Sequence, residues 1–121
     1  MGKLVEPYIR RIRQENRIET ERAAELHSRA YAEARRLAQE MGKADGDLKK
    51  VILFGSALPG RVFRIDSDID LAISGGNRAL LERVAAKSSF SVDLLDLNDA
   101  RSAILESIQK EGVVVYAAPE N

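Results

Sequence analysis

Three aspartates in the middle of the chain have a spacing that could hold a divalent cation. In SDIDLAIS (67–74), Asp68 and Asp70 alternate with apolar residues, and Asp93 has the same setting in FSVDLLDL (90–97). Because strands are usually poor in aspartate, two of them on one side of an apparent strand need an explanation. Carboxylates held close together repel each other, and Mg²⁺, which prefers oxygen ligands, relieves that repulsion. The spacing therefore indicates a metal site.

A Gly-Ser pair upstream supplies a second part of such a site. Gly55 and Ser56 follow the apolar run KVILF (50–54). A glycine at the turn after a strand lets a phosphate approach the backbone, where N–H groups and the serine hydroxyl can donate to it. A phosphate-binding turn beside a carboxylate-bound metal suits phosphoryl or nucleotidyl transfer, since catalysis there depends mainly on positioning and charge neutralisation.

Two other motifs that use similar residues do not fit. A calcium-binding loop beginning at Asp66 needs Gly at its sixth position and Glu at its twelfth, and the chain has neither there. A P-loop beginning at Gly55 needs Lys followed by Ser or Thr, where the chain has Arg61 and Val62. The simplest alternative is that the aspartate pair is solvated on an exposed strand. The upstream Gly-Ser pair and the third aspartate argue against it.

The elements that must position these residues alternate between strand and helix. Periodicity predicts strands over 50–54, 67–74, 90–97 and 113–116, and helices over 77–88 and 99–112. Asn98 is the expected cap of the last helix. A fold of the α+β class with a small sheet follows from this order.

Two-residue periodicity assigns the side chains of the second and third strands to faces. One face of the second strand is apolar, apart from one serine, and consists of Ile65, Ser67, Ile69, Leu71 and Ile73. The other carries Asp66, Asp68, Asp70 and Ala72. Asp93 faces away from the apolar set of the third strand. If the two strands are neighbours, Asp68, Asp70 and Asp93 meet on the uncovered face.

Asp96 is the competing candidate for the third carboxylate. It lies three residues after Asp93, so the two point to opposite faces of a strand. An ionised Asp deep in the apolar face would be unfavourable. We therefore expect Asp96 at the end of the strand, reaching solvent or capping the next helix.

Residues 1–46 are predicted to form a helical region that precedes the domain at 47–121. The helix, single or in two joined parts, has two apolar stripes: Leu4, Tyr8 and Ile12, then Leu26, Ala30, Ala34, Leu37 and Met41. The polar segment between them (13–22) is either exposed or a bend, and Gly42 and the segment 44–47 end the helix. The region either packs a narrow stripe on the domain or forms an arm for dimerisation or partner binding. His27, the single histidine, is interpreted as a surface residue.

Composition excludes several classes of function. Nineteen basic and 19 acidic residues among 121 give no indication of nucleic-acid or anionic-membrane binding. The absence of cysteine excludes disulfides and thiolate chemistry. No apolar run approaches the ~20 residues needed to cross a bilayer, and no signal peptide is recognisable. The expected location is cytoplasmic.

The segments LFGSALPG, DSDIDLAI, SVDLLDL and EGVVVY, spread over residues 48–117, carry a family resemblance. The chain resembles the minimal nucleotidyltransferase (MNT) family of the DNA polymerase β-like superfamily. The resemblance implies a small mixed sheet flanked by helices on one face. It also implies transfer of a nucleoside monophosphate, usually AMP from ATP, to a hydroxyl acceptor with two Mg²⁺ ions.

The resemblance also implies roles for individual residues. Gly55, Ser56 and Ser67 are expected to bind the nucleotide. Asp68 and Asp70 are expected to bind both metal ions. Asp93 is the expected third catalytic and metal-binding carboxylate, placed to deprotonate or orient the acceptor hydroxyl.

Many members of that family are antitoxins that inactivate a HEPN-domain ribonuclease toxin by binding and by AMP transfer, which makes such a toxin an expected partner. Relatives often carry Arg after Gly-Ser, where this chain has Ala57. Arg61 and Arg64 either supply the missing positive charge or are simply exposed. The alternative function is a binding module of the same fold that neutralises a partner by contact alone.

Overall fold

A four-stranded mixed sheet forms the centre of the structure. The computed structural model describes residues 2–120, with the side chains of residues 5–120. The strands are β1 (Leu48–Phe54), β2 (Ile69–Gly75), β3 (Val92–Asp96) and β4 (Val113–Ala117). Their order is β3-β2-β1-β4, in which β1 is antiparallel to β2 and β4, and β2 is parallel to β3. The parallel pair is the one that carries the aspartates.

Three helices accompany the sheet. They are α1 (Gly2–Ala44), α2 (Arg78–Ala86) and α3 (Ser102–Glu111). Asn77 caps α2, its side-chain oxygen accepting from the N–H of Leu80 at 3.2 Å. None of the helices in the described part of the chain is both long and apolar enough to span a membrane.

The first helix is one continuous element with two different halves. Residues 5–22 are exposed throughout, so the polar segment is solvated and not a bend. The second half is part of the core through small and apolar side chains that are at most 1% exposed: Ala30, Ala34, Leu37, Ala38 and Met41. Leu4 of the predicted first stripe lies outside the described side chains.

The helix ends at Ala44, within the predicted segment 44–47, but Gly42 does not stop it, because α1 continues through that glycine. The Tyr116 ring of β4 lies against Gly42 where a Cβ would be. The glycine therefore serves close packing of helix on sheet.

The core lies between α1, α2 and one face of the sheet. Val51 and Leu53 of β1, Leu71 and Ile73 of β2, and Leu94 of β3 are all buried there. Leu81 and Ala85 of α2 close the same cluster. The expectation of helices on one face holds for α1 and α2. The end of α3 lies near the opposite face, where Gly112 contacts Ile52.

The second strand begins later than predicted. Ser67 closes a turn, in which its N–H donates to the Arg64 carbonyl at 3.0 Å and its hydroxyl accepts from the Arg64 N–H at 2.9 Å. Because this turn keeps the chain from extending, Ile65 is 95% exposed and Asp66 is exposed. Their assignment to strand faces was wrong, and β2 starts at Ile69.

The third helix also starts later than predicted. Leu97–Asp99 form a single 3-10 turn, and α3 begins at Ser102 after Arg101. The carboxylate of Asp96 accepts from the N–H of Asn98 at 2.9 Å and stabilises this turn. Asn98 is therefore not the cap of α3.

Candidate active site

Asp70 and Asp93 lie side by side on neighbouring strands. The register of β2 and β3 pairs them directly, and paired residues of adjacent strands point to the same face. The pairs on either side, Ile69 with Val92 and Leu71 with Leu94, point to the core side. Asp68 is exposed and comes immediately before β2. The expected face assignment is confirmed for Asp70 and Asp93.

Asp96 lies at the end of its strand, as expected if Asp93 is the third carboxylate. It is the last residue of β3, half-buried, and its side chain caps the following turn. It points away from the face that carries Asp70 and Asp93. Of the two candidates for the third carboxylate, only Asp93 lies beside Asp70.

The electrostatics of the site are those of crowded carboxylates. Burial, together with the negative charges of Asp93 and Asp68, raises the pKa of Asp70 to about 6. Within the described part of the chain, no Lys or Arg forms an ion pair with any of the three. The repulsion between these carboxylates is therefore not offset by a salt bridge among the described residues.

The donors suit a metal that is shared with a substrate. Among residues 5–120, no three Asp, Glu, His or Cys side chains form a cluster that could hold a metal ion. Mg²⁺, however, is usually bound by one or two carboxylates and completes its six ligands with water and substrate phosphates. Asp68 and Asp70 fit that arrangement, with Asp93 adjacent.

The Gly-Ser turn lies directly against Asp70. Gly55 has φ +78° and opens a 3-10 turn in which the N–H of Leu58 donates to the Gly55 carbonyl at 3.2 Å. The carboxylate of Asp70 occupies the space that a Cβ on Gly55 would need. Ser56 is half-buried in the same turn. A phosphate at this turn would therefore lie next to Asp70.

Ser67 lies close to the site in sequence, but its hydroxyl has a structural task. It accepts from the Arg64 N–H and so fixes the turn that leads into Asp68. The hydroxyl hydrogen is still able to donate. Its role in nucleotide binding stays a prediction.

His27 contributes in a way that sequence analysis missed. It is half-buried, and its Nε2–H donates to the carbonyl of Leu58 at 2.8 Å, which ties α1 to the end of the Gly-Ser turn. The interpretation as a surface residue was wrong. Extending the buried stripe of Ala30 and Ala34 back by three residues would have found it.

Arg61 is engaged elsewhere. Its guanidinium pairs with the carboxylate of Glu111 at the end of α3, so its charge is already balanced. Arg64 is exposed. In the described part of the chain, neither arginine forms an ion pair with the three aspartates.

Comparison with known proteins identifies the family. Residues 37–121 match the family model described as Polymerase beta, Nucleotidyltransferase. The chain belongs to this nucleotidyltransferase family. That finding confirms the family and the fold indicated by the sequence. No curated protein matches the chain significantly.

Solved structures share the nucleotidyltransferase fold. A mutant of the toxin-antitoxin MntA-HpeT has a TM-score of 0.56 at 20% identity, covering 69% of this chain and 72% of that one. A toxin-antitoxin structure with AMP-PNP has a TM-score of 0.57 at 23% identity, covering 69% and 73%. A tri-AMPylated Shewanella oneidensis HEPN toxin in complex with MNT antitoxin has a TM-score of 0.50 at 20% identity, covering 75% and 72%. At these identities the likeness establishes the fold.

The pKa of Asp70 predicts a pH-dependent difference between the wild type and Asp70→Asn. Because the folded pKa is raised from 3.8 to about 6, the folded state keeps a proton that the unfolded state releases. The contribution of the Asp70 carboxyl to the free energy of unfolding is therefore fully present below pH 3.8. It is lost as the pH rises through 6 and the folded state releases the proton. Because Asp70 is half-exposed, solvent screening reduces the effect of this pKa shift on stability. Asp70→Asn should therefore be more stable than the wild type by about 1 kcal/mol at pH 7.

Urea unfolding at pH 4, 5, 6 and 7 with chelator present measures this difference. Asp66→Asn is the matched control, since Asp66 is exposed and outside β2, and it should keep the wild-type pH profile. Parallel profiles for Asp70→Asn and the wild type would contradict the pKa assignment.

Proposed function

We propose that this protein transfers a nucleoside monophosphate, AMP from ATP, to a hydroxyl group of a protein acceptor. The observation that carries the proposal is the pairing of Asp70 with Asp93 beside the turn at Gly55. A pair of carboxylates therefore adjoins the turn that we propose as the phosphate-binding site, and the exposed Asp68 immediately precedes β2. Membership of the nucleotidyltransferase family supports the same class of reaction.

The reaction assigns a task to each residue. The acceptor oxygen attacks the α-phosphorus of ATP and forms a new P–O bond, while the bond to the bridging oxygen of the β-phosphate breaks and pyrophosphate leaves. The acceptor proton passes to Asp93, which is exposed on the edge strand β3. N–H groups of the turn at Gly55 and the Ser56 hydroxyl hold the triphosphate. Mg²⁺ bound by Asp68 and Asp70 would neutralise charge on the triphosphate and on the departing pyrophosphate.

We further propose a HEPN-domain toxin as the acceptor. Support comes from the fold shared with an MNT antitoxin complex that contains a tri-AMPylated HEPN toxin and from the sequence resemblance. Two observations favour the contact-only alternative: Arg61 is paired with Glu111, and Ala57 stands where relatives often carry Arg after Gly-Ser. Weak triphosphate binding would follow from that arrangement.

Labelled ATP separates these functions. The protein, Mg²⁺ and a HEPN-domain protein are incubated with ATP labelled at the α- or the γ-phosphate. Nucleotidyl transfer labels the HEPN protein from α-labelled ATP alone. Label from γ-labelled ATP would indicate a kinase. A stable complex with no label from either would support neutralisation by contact.

Substitution of Gly55 tests the contact between turn and carboxylate. Gly55→Ala places an L-residue at φ +78° and drives its Cβ into Asp70. We expect nucleotide affinity to fall at least about tenfold, because the turn and the carboxylate are displaced together. Calorimetric titration with AMP-PNP measures the loss.

Gly60→Ala is the matched control. Its φ is +81°, but a Cβ there would meet nothing within 4 Å. Both variants carry the backbone penalty of about 1–2 kcal/mol for a left-handed residue. Only Gly55→Ala should lose affinity, and an equal loss in both would show that the contact with Asp70 is unimportant.

A further inference from the structure

The exposed first half of α1 carries an apolar stripe. This stripe lies on the same face of the helix that packs against the sheet in the second half. Its members are 38–64% exposed: Val5, Tyr8, Ile9 and Ile12. Because 18 residues make about five helical turns, Val5 lies directly in line with Ala23 and Met41, and Ile12 with Ala30. The same face of the helix therefore carries apolar residues on both sides of the polar segment 13–22, and only the second apolar part is covered by its own domain.

A groove at the middle of α1 continues the same face. A cavity of about 370 Å³ lies between α1 and the loop after the Gly-Ser turn, with Ala23, Ala24 and His27 on one wall and Val62 and Phe63 on the other. Val62 is 64% exposed. The volume of the groove and its apolar lining suit side chains from another helix.

The charges of the exposed half divide into two blocks. Residues 5–13 contain three arginines and one glutamate, whereas residues 15–25 contain four glutamates and two arginines. Two copies of this helix placed antiparallel would set the basic block of each against the acidic block of the other. A parallel pair would set like charges together, which is unfavourable.

We propose that a second copy of this chain occupies the stripe, with the two α1 helices antiparallel and Asn16 on the twofold axis. Asn16 lies on the stripe, in line with Ala34, and an Asn at such a position can pair with its own copy and fix the register. This register sets Ile9 opposite Ala23 of the second copy and Val5 opposite its His27, next to the groove. The contact is the same patch on both chains, as a twofold interface requires.

The second copy is the occupant best supported by the molecule because the chain itself holds both halves of the contact. The apolar stripe and the groove match in character, and the two charge blocks are opposite in sign. The interface also brings the end of one α1 to the loop that His27 holds at the Gly-Ser turn of the other copy.

Molar mass measured by light scattering tests the association. From about 1 to about 200 µM, a range that covers ordinary transient dimers, the wild type should rise from one to two times its 13.4 kDa mass. Ile12→Asp should remain monomeric throughout. Ile18→Asp is the matched control, because Ile18 is 44% exposed and lies about 120° around the helix from Ile12. It should dimerise like the wild type.

Disulfide trapping tests the antiparallel register, and the cysteine-free chain keeps the background clean. Under mild oxidation, a mixture of Ile9→Cys and Ala23→Cys chains should form a covalent dimer, and neither variant alone should. Self-linking of Ile9→Cys would instead show a parallel pair. A wild type that stays monomeric at every concentration, including one that binds only a HEPN-domain protein, would overturn the proposal.

Discussion

We expect Asp70→Asn to lower nucleotidyl transfer by about three orders of magnitude while the protein remains folded. The substitution removes the half-buried carboxylate that lies against Gly55 and beside Asp93. Neutralising charge on a transferring phosphoryl group is worth several kcal/mol, and each 1.36 kcal/mol corresponds to a tenfold rate. Transfer of label from α-labelled ATP, measured with Mg²⁺ in excess, gives the rate.

Asp68→Asn should lose transfer as well, since Asp68 is the second oxygen donor of the proposed site. Asp66→Asn is the control for both variants. Asp66 precedes Asp68 by two residues, just as Asp68 precedes Asp70, but it lies in the turn before β2. Its transfer rate should equal that of the wild type. Undiminished transfer by both Asp68→Asn and Asp70→Asn would contradict the metal assignment, while the proposed dimer would be unaffected.

The second large effect distinguishes Asp93 from Asp96. Asp93→Ala should lose transfer by about a hundredfold or more, because the acceptor hydroxyl loses its base, while AMP-PNP binding and folding are retained. Asp96→Ala should keep transfer but lose about 1 kcal/mol of stability, since the N–H of Asn98 loses its acceptor. Thermal unfolding should show this as a lowering of Tm by about 4 °C.

The two variants control each other, since they remove the same side chain three residues apart in one strand. The roles are reversed if Asp96→Ala abolishes transfer and Asp93→Ala only lowers Tm. That outcome would contradict the assignment of the acceptor base, though not the register of β2 and β3.

Several features of the site could be predicted because they depend on local periodicity. An alternating pattern sets the face of a side chain within a strand, so Asp70 and Asp93 could be placed together once β2 and β3 were taken as neighbours. The same rule separated Asp96 from Asp93. Gly55 could be assigned to a turn because a glycine after an apolar strand marks a change of backbone direction.

Other features could not be predicted because they depend on contacts between distant segments. His27 and Leu58 are 31 residues apart, and Arg61 and Glu111 are 50 apart. The stripe of α1 marks His27 as facing the domain, but no local pattern identifies Leu58 as its partner or pairs Arg61 with Glu111. The start of β2 was misjudged because side-chain and backbone bonds between Ser67 and Arg64 overrode an alternating pattern.

The sequence by itself determined which residues are the candidates for the proposed chemistry, since Asp68, Asp70, Asp93 and the Gly-Ser pair are recognisable from type and spacing. Only the tertiary structure decided how they act on one another. The pKa of Asp70 rises because the fold buries it and brings Asp93 and Asp68 close. Likewise, the apolar residues of α1 are visible in the sequence. Which of them are buried depends on how far along the helix the rest of the domain extends. Burial and proximity are properties of the folded chain, and they turn a pattern of residues into a site.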